Sequence, residues 1–194
     1  MHKVAELPAP EVVFEQPFYF LRHGETTYNR EGRFQGQRDT PLSELGEEQA
    51  LAAAKVLAQE PIKRLIASPL QRARVTAEAV AARTGLAIET DPELMECHLG
   101  VHQGNLYEPW LPDYWAGRYR PEGGEDFWQF RARVLPALAR AAALGPDCLI
   151  VAHGGLWLAA RSVFRLEPDI KAMPNALPLR VVPDGRTWQV QSLG

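Results

Sequence analysis

The sequence predicts an α/β fold built on a mainly parallel sheet. Three observations predict it. Short apolar runs alternate with longer stretches of helical periodicity, the order that parallel βαβ units require. Two of those runs end alike, F-Y-F-L-R-H-G and C-L-I-V-A-H-G. The composition, 46% hydrophobic and 23% charged over 194 residues, suits one soluble globular domain.

Each element has a local reason. Residues 18–21 form a short buried strand that stops at Arg22, His23 and Gly24. Ser43 can cap a helix running to about Gln59, with Leu45, Ala52, Val56 and Leu57 on its apolar side and Pro61 ending it. Residues 64–67 are a second apolar strand. Ser68 as N-cap and Pro69 as first residue then open a helix to about Thr84, closed by Gly85. Residues 86–89 suggest another strand. From Leu94 to Gly124 the pattern is irregular and rich in Gly, Pro and aromatics. A helix is expected from about Glu125 to Ala143, kinked or split by Pro136. Residues 148–152 form a continuous apolar strand, followed by a helix from about Leu156 to Phe164. Residues 179–182 and 187–190 read as two strands around the turn Pro183-Asp184-Gly185. Residues 1–16 form an N-terminal arm or edge addition. Residues 17–194 form a single domain, with a small aromatic-rich lid segment around 105–124.

Net charge is −3, so no global basic field draws the chain to nucleic acid or to a membrane. Of 21 cationic residues, 17 are Arg. A planar fork for phosphate can be the role of only a few of these. Cys97 and Cys148 form no C-x-x-C pattern and no disulfide framework. No stretch approaches the roughly 20 apolar residues of a spanning helix, and the N-terminus lacks a signal-peptide apolar region. The cytoplasm is the expected compartment. Nothing in the pattern specifies an oligomeric state.

The two strands ending in His-Gly carry the chemistry. Ligands of open α/β sheets bind at the carboxyl ends of strands where strand order reverses. If these two strands are neighbours, His23 and His153 face one crevice, with Gly24 and Gly154 letting backbone approach a ligand. The helix start at Gly155 would add N–H groups. Arg72 lies four residues after Ser68, so both can reach past the start of their helix. Arg22, Arg72 and two imidazoles make a dense cationic pocket matched to phosphate. Cys97, His98 and His102 could suggest a metal site, but Gly100 and Gly104 argue against a regular helix aligning them. No cofactor or metal is expected.

At this point the sequence resembles the histidine phosphatase superfamily, the phosphoglycerate mutase-like enzymes. The resemblance rests on R-H-G-E-T-T-Y-N (22–29), R-F-Q-G-Q-R-D-T-P-L-S-E-L-G (33–46) and A-S-P-L-Q-R-A-R-V-T-A (67–77), in order. It continues with L-M-E-C-H-L-G-V-H-Q-G (94–104), P-E-G-G-E (121–125) and V-A-H-G-G (151–155). It implies a three-layer α/β/α fold with a central, mostly parallel sheet. It also implies His23 as nucleophile, Arg22, Arg72 and His153 as phosphate ligands, and Glu96 as proton donor. Asn29, Ser68 and Gly154 fall on supporting phosphate-binding positions, although Asn29 and Ser68 also suit structural caps. Gln35, Gly36, His102, Tyr107 and Trp115 are candidates for the substrate pocket. His102-Gln103 stands where the family often has Trp-Glu.

Attack on phosphorus needs a neutral imidazole, which two guanidinium groups beside His23 would favour. A backbone carbonyl accepting from Nδ1–H would leave Nε2 free. For His153, a bound phosphate dianion favours the charged form and the arginines oppose it. The expected partner is a small phosphomonoester, split through a phosphohistidine without a metal. Two alternatives remain, a phosphoglycerate mutase and a non-catalytic phosphate-binding regulator. A complete set of catalytic side chains disfavours the regulator. Only 57 positions separate Glu96 from His153, whereas family mutases carry a longer insertion there that excludes water; the short segment favours hydrolysis. The aromatics between Tyr107 and Trp128 can be a packed lid core or a wall for a ring-bearing substrate. Arg118 and Arg120 can bind a second anionic group or form a solvated face.

Overall fold

The computed structural model describes residues 7–194; residues 1–6 of the expected arm lie outside the described residues. Seven strands form one sheet: β1 (Phe18–Arg22), β2 (Arg64–Ala67), β3 (Ile88–Thr90), β4 (Cys148–Ala152), β5 (Arg165–Glu167), β6 (Pro178–Asp184) and β7 (Thr187–Ser192). Their order is β3-β2-β4-β1-β6-β7-β5. β3, β2, β4 and β1 pair in parallel, β6 is antiparallel to both β1 and β7, and β5 is parallel to β7. The chain moves outward from β1 to β2 and β3, then returns to insert β4 next to β1. The boundary between β4 and β1 is therefore the switch point, and Arg22 stands opposite Ala152 there.

Among the described residues six α-helices accompany the sheet: α1 (Thr27–Glu31), α2 (Glu44–Leu57), α3 (Gln71–Thr84), α4 (Leu111–Trp115), α5 (Phe127–Ala142) and α6 (Gly154–Arg161). Side-chain alternation in β1 divides the core. Phe18 and Phe20 pack with α5 and α6, while Tyr19 and Leu21 pack with α2 and α3. This is the expected three-layer arrangement. Residues 7–17 carry neither helix nor strand, but Phe14 is buried against Phe18, Phe164 and Trp188.

Several local expectations are corrected. α3 begins at Gln71, not at Pro69, and its N-cap Leu70 makes no side-chain cap bond. The Asp39 side chain accepts from Gln71 N instead, at 2.8 Å. On α2 the buried face is Gly46, Ala50, Ala53, Ala54 and Leu57, whereas Leu45 and Ala52 are exposed. Small residues are what α2 and α3 need to approach closely, with Ala73 and Ala77 opposite. α5 is one element through Pro136, started by a capping box between Asp126 and Gln129. α6 starts at Gly154, two residues earlier than its periodicity suggests, and β3 starts two residues later than expected. Among the described residues no helix is long and apolar enough to cross a membrane.

Candidate active site

β1 and β4 deliver His23 and His153 to the same end of the sheet, with ring centroids 5.3 Å apart. The His23 ring is buried, and its Nδ1 lies 2.7 Å from Gly24 O. A carbonyl can only accept, so Nδ1 carries the proton. Nε2 is left with a lone pair and no hydrogen-bond partner among the described residues, at the wall of a cavity of about 340 Å³. Burial, Arg72 and Arg22 together push His23 well below the usual imidazole range. His153 is pushed down in the same way, by burial first and then by Arg72 and His23.

Both arginines line the cavity and are held by backbone carbonyls. Arg22 donates to Met173 O, and Arg72 donates to Arg38 O (2.9 Å) and Gly36 O (2.8 Å). The Nε of each, and Nδ1 of His153, are buried polar atoms without a partner. Burial lowers both guanidinium groups, Arg72 to about 10, while the Glu96 carboxylate opposes the shift. Both remain cations at neutral pH. The two unmatched guanidinium Nε–H donors, on arginines that line the cavity beside a neutral imidazole, suit an oxyanion with several acceptor oxygens.

Glu96 faces the same cavity. Its Oε1 accepts from Cys97 N and its Oε2 from Gly155 N, both at 3.0 Å. A Cβ on Gly155 would lie 2.1 Å from Oε1, so the carboxylate occupies the space a side chain would take. The Gly155 N–H expected to face an anion therefore serves Glu96. Gly24 also has another reason. A Cβ there would lie 2.3 Å from Gly46 O, so the residue makes room for the start of α2 and not for a ligand.

Asn29, Gln35, Gly36, Tyr107, Trp115 and Gly154 line the cavity with Arg22, His23, Arg72 and Glu96. Asn29 is also the third residue of a capping box with Thr26, so its carbonyl oxygen is committed while its amide nitrogen is not. Ser68 and His153 are fully buried, with Ser68 Oγ 2.7 Å from His153 Nε2. Ser68 thus orients His153 and does not cap α3. His102 is not on the cavity wall. Its Nε2 is 2.7 Å from Tyr119 Oη, and its Nδ1 is 3.5 Å from a Glu108 carboxylate oxygen. The aromatic segment divides. Trp110 stacks on Phe34 and Tyr119 as a packed core, whereas Tyr107 and Trp115 face the cavity. Arg118 pairs with Asp113 and Arg120 donates to Gly124 O, both away from the cavity. Cys97 is buried, His98 accepts from Gly100 N, and His102 is bound to Tyr119, so the three do not converge.

The structure adds residues that the motifs did not offer. Asn175, before β6, donates to His23 O (3.0 Å) and to Asn29 Oδ1 (3.4 Å). Arg133 on α5 donates to Glu93 O, Met95 O and Glu96 O and pairs with Glu125. Arg133 lies outside every quoted motif, and Asn175 lies in a Pro-flanked loop without periodicity, so neither carries a local signal.

A family model described as the histidine phosphatase superfamily (branch 1) matches residues 18–193. A curated relative, the glucosyl-3-phosphoglycerate phosphatase of Mycobacterium tuberculosis, is 38% identical over 172 residues, covering 79% of this chain and 77% of that protein. Phosphoglycerate mutase-like protein 4 of Arabidopsis thaliana is 33% identical, covering 90% of this chain and 83% of its own. Among solved structures, a mycobacterial glucosyl-3-phosphoglycerate phosphatase in complex with VO3 superposes with a TM-score of 0.77 at 33% identity. That likeness covers 92% of this chain and 98% of the other.

Proposed function

The chain belongs to the histidine phosphatase superfamily, and on that premise we propose that it is a metal-independent phosphomonoesterase working through a phosphohistidine on His23. One observation carries the reading. A neutral imidazole with a fixed tautomer stands beside two guanidinium groups, the buried Arg72 and the partly buried Arg22, each with an unmatched Nε–H donor. One mycobacterial relative, solved once with VO3 and once with inorganic phosphate, supports an oxyanion-binding site in this fold.

Glu96 enters the reaction as the carboxylic acid, taking up a proton as the substrate's negative charge arrives; in the first step Nε2 of His23 attacks phosphorus while Glu96 gives that proton to the departing alkoxide oxygen. Arg22, Arg72 and His153 neutralise the charge that gathers on the nonbridging oxygens. Glu96, now a carboxylate, then takes a proton from water. The resulting hydroxide displaces His23, which leaves as the neutral imidazole it was at the start. The arginines do the neutralising that a metal ion does elsewhere. Two free, buried cysteines suit a reducing compartment, and the proposal places the enzyme in the cytoplasm.

The purified protein should release phosphate from p-nitrophenyl phosphate at a rate unaffected by EDTA. Acid-sensitive phosphate should be trapped on the peptide containing His23, and His23→Ala should abolish both signals. A requirement for added metal, or an undiminished His23→Ala rate, would defeat the mechanism. Robust conversion of 3- to 2-phosphoglycerate would replace the hydrolase with a mutase.

A further inference from the structure

We infer that the alcohol half of the substrate is an apolar or aromatic group, seated against Trp115, Leu111 and Leu158. The inference rests on the phosphatase reading of the same site. The cavity has two unlike ends. At one end stand His23, Arg22, Arg72, Asn29 and Glu96. Beyond them the wall is Phe34, Leu99, Leu111, Trp115, Leu158 and Met173. These come from five separate parts of the chain: the loop after α1, the turn after Glu96, α4, α6 and the loop before β6. An apolar surface assembled from so many places is a property of the cavity and not of one stray side chain.

The acceptor oxygens near this wall are largely occupied, and the amide nitrogens of Asn29 and Gln35 are the open donors. Gln35 Oε1 receives the hydroxyls of Thr26 and Thr40. Asn29 Oδ1 receives Thr26 and Asn175. Arg33 is spent on Glu31 and on Gly104 O. Tyr107 and Lys171 also line the cavity, but both are exposed side chains. A sugar hydroxyl entering here would give up water for few fixed partners, whereas a ring or alkyl group would leave water for Trp115 and the aliphatic wall. The volume of about 340 Å³ sits at the small end of ligand cavities, which span roughly 300–1,000 Å³. A compact body fits it best. This differs from the glucosyl-glycerate substrate that the mycobacterial relative's name carries.

The test compares 2-phenylethyl phosphate with glucose 6-phosphate and 3-phosphoglycerate. All three are phosphate esters of primary alcohols, so leaving-group acidity is closely matched. For the wild-type protein, kcat/KM should favour the phenylethyl ester by at least about tenfold, the scale on which an apolar pocket discriminates. Leu158→Gln should narrow that ratio by raising KM for the phenylethyl ester. Equal or reversed preference, in a protein that hydrolyses p-nitrophenyl phosphate and is phosphorylated on His23, overturns the inference and leaves the phosphatase standing. A Leu158→Gln effect that is parallel across all three esters also counts against it. No turnover of any ester overturns both.

Discussion

Keeping His23 and His153 neutral in a buried site makes stability depend on pH in one direction. In the unfolded chain both would titrate at about 6.5, and in the folded protein both lie well below it. Between those values the unfolded state binds more protons. Acidification below about 6.5 therefore removes stability, at up to about 1.4 kcal/mol per pH unit for each imidazole. Urea unfolding at pH 7.5 and pH 5.5 should show the loss, and His153→Gln should reduce it. Stability that is flat or rises on acidification would contradict the buried neutral pair. A second expectation concerns Gly155→Ala. The new methyl would displace Glu96, and alkyl phosphates, which need the proton most, should lose kcat by about 10²–10⁴-fold. p-Nitrophenyl phosphate, with a good leaving group, should lose much less; equal losses for the two would argue against proton donation by Glu96. At this scale the sequence was legible wherever chemistry forces a residue type beside a strand end, as at Arg22, His23 and His153. It was silent on Asn175 and misled on Ser68, because their partners come from distant segments.

The helices show where local signals give way to tertiary ones. Ser68-Pro69 has the composition of a helix start, but the serine hydroxyl is held by His153 and the N–H of Gln71 is satisfied by Asp39, 32 positions away. No windowed reading of the chain could see that cap. α2 misleads for a related reason. Leu45 and Leu51 are exposed, while Ala50, Ala53 and Ala54 are buried with Leu57 because α3 comes close. α5 shows how one helix governs the site without touching the cavity. Arg133 clamps the carbonyls of Glu93, Met95 and Glu96, which fixes the backbone that runs from the 3-10 turn Pro92–Leu94 to Glu96. Arg133→Met should lower kcat by about tenfold or more while changing KM little, since the phosphate contacts are elsewhere. Arg133→Lys should recover only part of the rate, because an ammonium cannot span the same carbonyls and Glu125. Steady-state kinetics on an alkyl phosphate decides it: an unchanged kcat in Arg133→Met would remove Arg133 from the positioning of Glu96.

The molecule as a whole ties its fold to its ligand. The alternation of strands and helices was readable because each unit is local, and the β6–β7 hairpin was readable from its turn. The insertion of β4 beside β1 was available only as a condition suggested by their matching ends, since strand order depends on contacts across most of the chain. An anion bound at that junction bridges both strands and α3, so inorganic phosphate should stabilise the folded state by mass action. The gain is about 2.7 kcal/mol at a concentration one hundred times its dissociation constant. A thermal shift with phosphate that is absent with equal chloride checks this, and its absence in Arg72→Met places the effect at the site. The same junction bears on biosynthesis. β1 is made before β2 and β3, but its neighbour β4 is made only after both. Until then Arg22 and His23 have no partner strand, and contacts of such long sequence separation are slow to form. A stalled nascent chain ending before β4 should give phosphate no purchase, and protection from proteolysis by phosphate should begin only once β4 and α6 have cleared the exit tunnel.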